Sequence, residues 1–148
     1  MTYIWDTNIL LHILRKQDFL NDLNSKYDFK NPLNKIIISA VTVGEIHSIA
    51  LRNRWGEKRM TALSDLLKTV NIIFIDDNPT LIQFYSEIDV YSQNQHPDFR
   101  MTGSARKMGK NDLWIAATTA IFNGTLLSTD NDFSHLNGQF LYFDKIEV

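Results

Sequence analysis

The chain has 148 residues, 44% of them hydrophobic and 11% aromatic, with a formal net charge of −2 and no cysteine. That length is expected to form one domain over residues 1–148, and folding should bury roughly 68–70% of the unfolded surface, enough for a core without covalent staples. The missing cysteines exclude disulfides, zinc–thiolate sites and cysteine nucleophiles and fit a reducing, cytoplasmic setting. No apolar run approaches the ~20 residues of a membrane helix, and Asp6 interrupts the N-terminal apolar stretch, which has no basic segment before it, as a signal peptide would.

Short β-rich runs alternate with longer helical patterns, the signature of βα units around a parallel sheet. Tyr3–Trp5 is the first strand, followed by a helix through His12 and Arg15. A second helical piece surrounds Leu20–Leu23 and ends before Pro32. Ile36–Ala40 is a continuous apolar strand of the kind covered on both faces. Helices are expected from Thr42 to about Asn53 and over Lys58–Val70, with a strand at Ile72–Ile75 after them. Pro79 opens a helix that reaches about Ser92. His96–Lys110, polar and basic with two glycines, reads as a mobile loop that orders on binding. A helix over Asp112–Phe122 follows, with Asn111 as its cap and Gly124 just past its end. Leu126–Ser128 and Phe140–Phe143 complete five strands. The fold class is α/β, a three-layer α/β/α sandwich with a five-stranded parallel sheet.

Four carboxylates, Asp6, Glu45, Asp112 and Asp130, each fall where a strand hands over to a helix. In a parallel sheet those handovers share the edge where open α/β folds bind ligands. Singly, each acid has an ordinary explanation. Asp6 can cap a helix, Thr42-Val-Gly-Glu45 has the spacing of a capping box, Asp112 suits a first helical turn, and Asp130 lies among turn formers. Jointly they form a cluster of like charges that needs a cation. All-oxygen ligation favours Mg²⁺ or Mn²⁺. Zinc is disfavoured because no histidine pair has ligand spacing, and His12, His47, His96 and His135 are taken as surface or packing residues.

A carboxylate-held cation without a nucleotide-binding motif points to phosphodiester hydrolysis. Ser39, Ser104 and Ser128 lack the context of a hydrolase nucleophile. Arg100, Arg106, Lys107 and Lys110, with no acid among them, could hold a polyanion backbone next to the acids.

The blocks Trp-Asp6-Thr7-Asn8-Ile-Leu, Val-Gly-Glu45-Ile, Asn111-Asp112-Leu-Trp-Ile-Ala-Ala-Thr and Ser-Thr129-Asp130-Asn-Asp132-Phe resemble the signature blocks of PIN-domain nucleases, most of all the VapC-type ribonuclease toxins. The resemblance implies Mg²⁺- or Mn²⁺-dependent RNA cleavage, a homodimer, and inhibition by a cognate antitoxin. It assigns Asp6, Glu45, Asp112 and Asp130 to the metal, with Thr7, Asn8, Asn111 and Thr129 in support. Asp132 competes for the fourth position, and Asp130 is preferred because it follows Thr129 directly. Two other readings stand beside it. One is a catalytically silent PIN-like module that binds RNA or protein. The other is a phosphatase with Asp6 as nucleophile, disfavoured because Asn8 stands where a second aspartate is wanted.

Overall fold

Neighbouring residues in each inner strand face opposite sides of one sheet, and both sides are apolar. Ile4, Ile37 and Leu126 enter one core cluster, whereas Tyr3, Trp5, Ile38 and Leu127 enter the other. A strand buried on both faces cannot show polar alternation, which is why these runs read as continuously hydrophobic.

The computed structural model describes residues 1–148. The elements are β1 (Thr2–Trp5), α1 (Thr7–Arg15), α2 (Gln17–Tyr27), β2 (Lys35–Ser39), α3 (Ala40–Arg52), α4 (Glu57–Leu67), β3 (Asn71–Ile73), α5 (Pro79–Ser92), α6 (Lys110–Ile121), β4 (Thr125–Ser128) and β5 (Tyr142–Lys145). A single 3-10 turn covers Ser134–Leu136. The five strands are all parallel, in the order β3-β2-β1-β4-β5. Helices α5 and α6 supply the core on one face. Helices α1 to α4 supply it on the other, giving the expected α/β/α sandwich. No helix is long and apolar enough to cross a membrane.

The strand order reverses between β1 and β4, so the crevice at the C-terminal ends of these two strands is the topological switch point. The register pairs Trp5 with Leu127, and the Asp6 amide donates to the Leu127 carbonyl at 3.0 Å. Asp6 is therefore delivered beside Ser128.

Several local expectations change. Strand β3 ends at Ile73, so Phe74 and Ile75 lie outside it and are exposed. Strand β5 starts at Tyr142 because Phe140 turns inward against Tyr91. Helix α6 starts at Lys110 with Gly109 at its cap, which puts Asn111 inside the first turn. At its other end Asn123, not Gly124, takes the left-handed conformation (φ 47°). Gly124 is needed for a close approach, since a Cβ there would lie 2.5 Å from Ile4 Cδ1 and 3.1 Å from the Thr2 carbonyl oxygen.

The His96–Lys110 stretch, expected to be a mobile polar loop, is anchored in the core at three residues. Met101 and Met108 are buried in the α5–α6 core, and His96 is 3% exposed. His96 Nδ1 accepts from the Asp98 and Phe99 amides at 3.1 and 3.2 Å. The Arg106 amide donates to the Ser92 carbonyl at 2.7 Å. His135 Nε2 lies 2.7 Å from Ser92 Oγ. Burial, with Arg106 nearby, pushes His135 down to about 4, so it packs as a neutral ring. Polar composition hid three inward anchors.

Gly124→Ala is expected to destabilise the protein by about 1–3 kcal/mol, the usual cost of overpacking, read from urea unfolding. Adding Ile4→Val, which removes the Cδ1 atom, should recover part of the loss. An unchanged midpoint for Gly124→Ala would contradict the packing role.

Candidate active site

Asp6 caps α1 and is 6% exposed. Burying a carboxylate is costly unless donors surround it, and three do. The Thr7 amide donates to Asp6 Oδ1 at 2.7 Å, while Ser128 Oγ and Asn8 Nδ2 donate to Oδ2 at 2.7 and 3.0 Å. Asn8 Nδ2 also reaches Asp130 Oδ2 at 3.0 Å, and Asn8 Oδ1 accepts from the Thr129 amide at 3.1 Å. One side-chain amide thus bridges Asp6, Asp130 and the β4 exit.

Glu45 joins from α3. The capping-box expectation fails because α3 begins at Ala40 and its cap is Ser39, whose hydroxyl accepts from the Val41 amide at 3.1 Å. Thr42 is already buried inside the helix. Glu45 is thereby free to turn to the sheet edge, where Thr7 Oγ1 donates to its Oε1 at 2.6 Å.

Asp112 is half-buried in the first turn of α6, on the face that carries the buried Ile115, Ala116 and Thr119. A helix N-terminus favours an anion, yet its pKa is raised to about 7. Burial is the main cause, followed by the charges of Asp6, Asp132, Glu45 and Asp130. Asp6 is pushed up to about 6, chiefly by burial and further by Asp130 and Glu45, against the hydrogen bonds from Ser128 and Thr7. Acids from α1, α3, α6 and the β4 exit therefore share one electrostatic neighbourhood. None of the four ion pairs in the molecule touches them.

Asp130 Oδ1 accepts from the Asp132 amide at 3.0 Å, so both oxygens of Asp130 are engaged. Asp132 is exposed and lines a cleft of about 190 Å³ with Asp112, Arg106 and Lys107. The fold thus brings both aspartates to the site. Of the four basic residues singled out, Arg106 and Lys107 reach this cleft, whereas Arg100 and Lys110 are exposed and do not line it. Arg106 is partly committed, because its Nη1 donates to the Asn131 carbonyl at 3.2 Å. Thr129 contributes its backbone amide. The hydroxyl that holds Asp6 belongs to Ser128, which the sequence reading set aside with the nucleophile candidates. The signal that could have found it is its position at the end of the strand paired with β1.

The donor chemistry fits a hard divalent cation, since these are oxygen ligands and no cationic side chain is ion-paired with them. No three acids are close enough set to enclose an ion as they stand.

Both raised carboxyls bind protons more tightly in the folded chain than at the ordinary aspartate value of 3.8. From about pH 4 to 7 the native state consequently holds more protons than the unfolded one, and this stability is lost as pH rises. In EDTA, unfolding free energy should be lower at pH 8 than at pH 5.5 by roughly 1–3 kcal/mol. Asp112→Asn should shrink that difference and raise the midpoint at pH 8. An equal pH dependence in wild type and variant would count against the coupling.

Comparison with known proteins gives a consistent picture. The PIN domain family matches residues 3–139. Ribonuclease VapC1 of Haemophilus influenzae strain R2866 is 23% identical over 128 residues, 86% of this chain and 86% of that protein. The fold is shared with solved structures of VapBC2 from Rickettsia felis bound to a DNA fragment from their promoter (TM-score 0.77, 22% identity, 98% of each chain). It is also shared with VapBC-1 from nontypeable Haemophilus influenzae (TM-score 0.73, 20% identity, 98% of each chain).

Proposed function

The chain belongs to the PIN-domain family, and from that premise we propose that it is a single-domain, metal-dependent endoribonuclease, the toxin of a toxin–antitoxin pair. The observation that carries this reading is the buried Asp6 carboxylate, held by Ser128, Asn8 and Thr7 in a field shared with Glu45, Asp112 and Asp130. The likeness to a protein named Ribonuclease VapC1 and to VapBC assemblies supports it. On the same grounds the partners are an RNA substrate and a cognate antitoxin, the working state is a homodimer and the setting is the cytoplasm.

Asp6, Glu45, Asp112 and Asp130 would hold Mg²⁺ or Mn²⁺, with Asp132 as the adjacent fifth acid. Bound there, the ion supplies neutralisation of phosphoryl charge and activation of water for hydrolysis of the phosphodiester. The chain itself supplies position. Thr7 orients Glu45, and Asn8 with Ser128 orients Asp6 and Asp130. Asn8 occupies the place a second aspartate would need in an aspartyl-nucleophile phosphatase, and its amide is spent on bridging the acids.

Purified protein freed of antitoxin should cleave RNA in Mg²⁺ or Mn²⁺, and EDTA should stop it. Asp6→Asn or Asp112→Asn should lower the rate about 100-fold or more, since several kcal/mol of charge stabilisation is removed, while circular dichroism stays native. Cleavage that survives both substitutions would sink the proposal.

A further inference from the structure

Glu45, Ser48 and Arg52 recur at helical spacing on one face of α3. With Gly44, Val41 and Ile49 of the same helix, and with Asn111 from α6, they line an open groove of about 470 Å³ of mixed polar and apolar surface. The inner end of the groove is Glu45 of the acid cluster. The outer end is Arg52, seven residues further and so about 10 Å along the helix.

Gly44 lies inside α3, where glycine weakens a helix relative to alanine. Its φ is not in the left-handed region, and a Cβ placed on it would meet nothing within 4 Å. Neither the backbone nor the protein packing requires glycine there. The space it leaves belongs to the groove. Arg52 is exposed and takes part in none of the ion pairs. Its planar fork of donors suits a phosphate.

We infer that the α3–α6 groove holds the single RNA strand flanking the cleavage point, with Arg52 gripping a neighbouring phosphate and Gly44 keeping the path open. The inference rests on the ribonuclease reading and deepens it by naming where the strand runs. An acid cluster repels a polyanion, so a flanking cation must hold the backbone against that repulsion. Arg106, the obvious basic residue of the other flank, is tied to the Asn131 carbonyl, whereas the Arg52 guanidinium is unpaired. The exposed, unpaired guanidinium at the outer end favours a nucleic-acid backbone over an apolar peptide segment. Ser48 and Asn111 add hydrogen-bonding groups along the way.

The test is fluorescence anisotropy of a short labelled single-stranded RNA in Mg²⁺, in the Asp112→Asn background so that the RNA stays intact. Arg52→Ala should weaken binding roughly tenfold and reduce the slope of log K against log salt by about 0.7, the value of one phosphate contact on a single strand. Lys58→Ala, an exposed charge outside the groove, should leave both unchanged. Gly44→Gln should weaken binding while its Tm stays at or above that of the parent, which separates blockage from misfolding. Absence of RNA binding by the parent, or equal affinities and salt slopes for the parent, Arg52→Ala and Gly44→Gln, would overturn the groove. Cleavage by the otherwise unaltered chain is scored separately. Binding that depends on Arg52 without any cleavage in Mg²⁺ or Mn²⁺ would remove the nuclease reading and leave the groove standing.

Discussion

The pairing of Trp5 with Leu127 sets the end of β1 against the end of β4, and the site is built outward from that register. It places a carboxylate at 6% exposure within reach of a serine hydroxyl. The next two residues of the chain then serve the other acids. Thr7 donates to Glu45, and Asn8 bridges Asp6 to Asp130. A slip of one residue in the β1–β4 ladder would turn Trp5 to the other face and set Asp6 beside the wrong residue of β4, and three elements would lose their meeting point together.

This arrangement is electrostatically unfavourable on its own. Burial and like charge raise Asp6 to about 6 and Asp112 to about 7, so near neutrality the cluster sits at the edge of full ionisation. A bound cation would shift that balance, which couples ion binding to proton release. The scaffold tolerates the strain because its stability comes from elsewhere. Two apolar clusters clamp the sheet from both faces. Ion pairs such as Lys68–Asp65 and Lys145–Glu147 are exposed and worth little.

The α/β class, the five strands and the shared edge of Asp6, Glu45, Asp112 and Asp130 were legible because period, breakers and acid placement are all local signals. What stayed hidden depends on partners distant in sequence. Ser128 is an ordinary strand-end serine until the register puts Asp6 beside it, 122 residues away. The capping box over Thr42–Glu45 was a true spacing in the wrong phase, because Ser39 at the strand exit takes the cap first. The 93–109 connection looked solvated because Met101, Met108 and His96 are isolated among polar residues, and isolated anchors leave no periodicity. Gly124 was correctly marked as a boundary, and its constraint is the side chain of Ile4 rather than a left-handed turn.

Under the proposed ribonuclease reading, a chain of net charge −2 has to engage a polyanion through local charge. No long-range attraction is available from the total, so the cations must act locally. An arginine three or four residues after Glu45 would pair with it and cancel both charges. At seven residues Arg52 keeps the same helix face about 10 Å further along the axis, and it takes part in none of the ion pairs. The guanidinium is therefore left free for a phosphate in the proposed groove. On the other flank Lys107 borders Asp112 and Asp132 in the smaller cleft. Cations thus stand in the grooves on either side of the acids, Arg52 with Glu45 and Lys107 with Asp112 and Asp132, and the proposed strand path uses both.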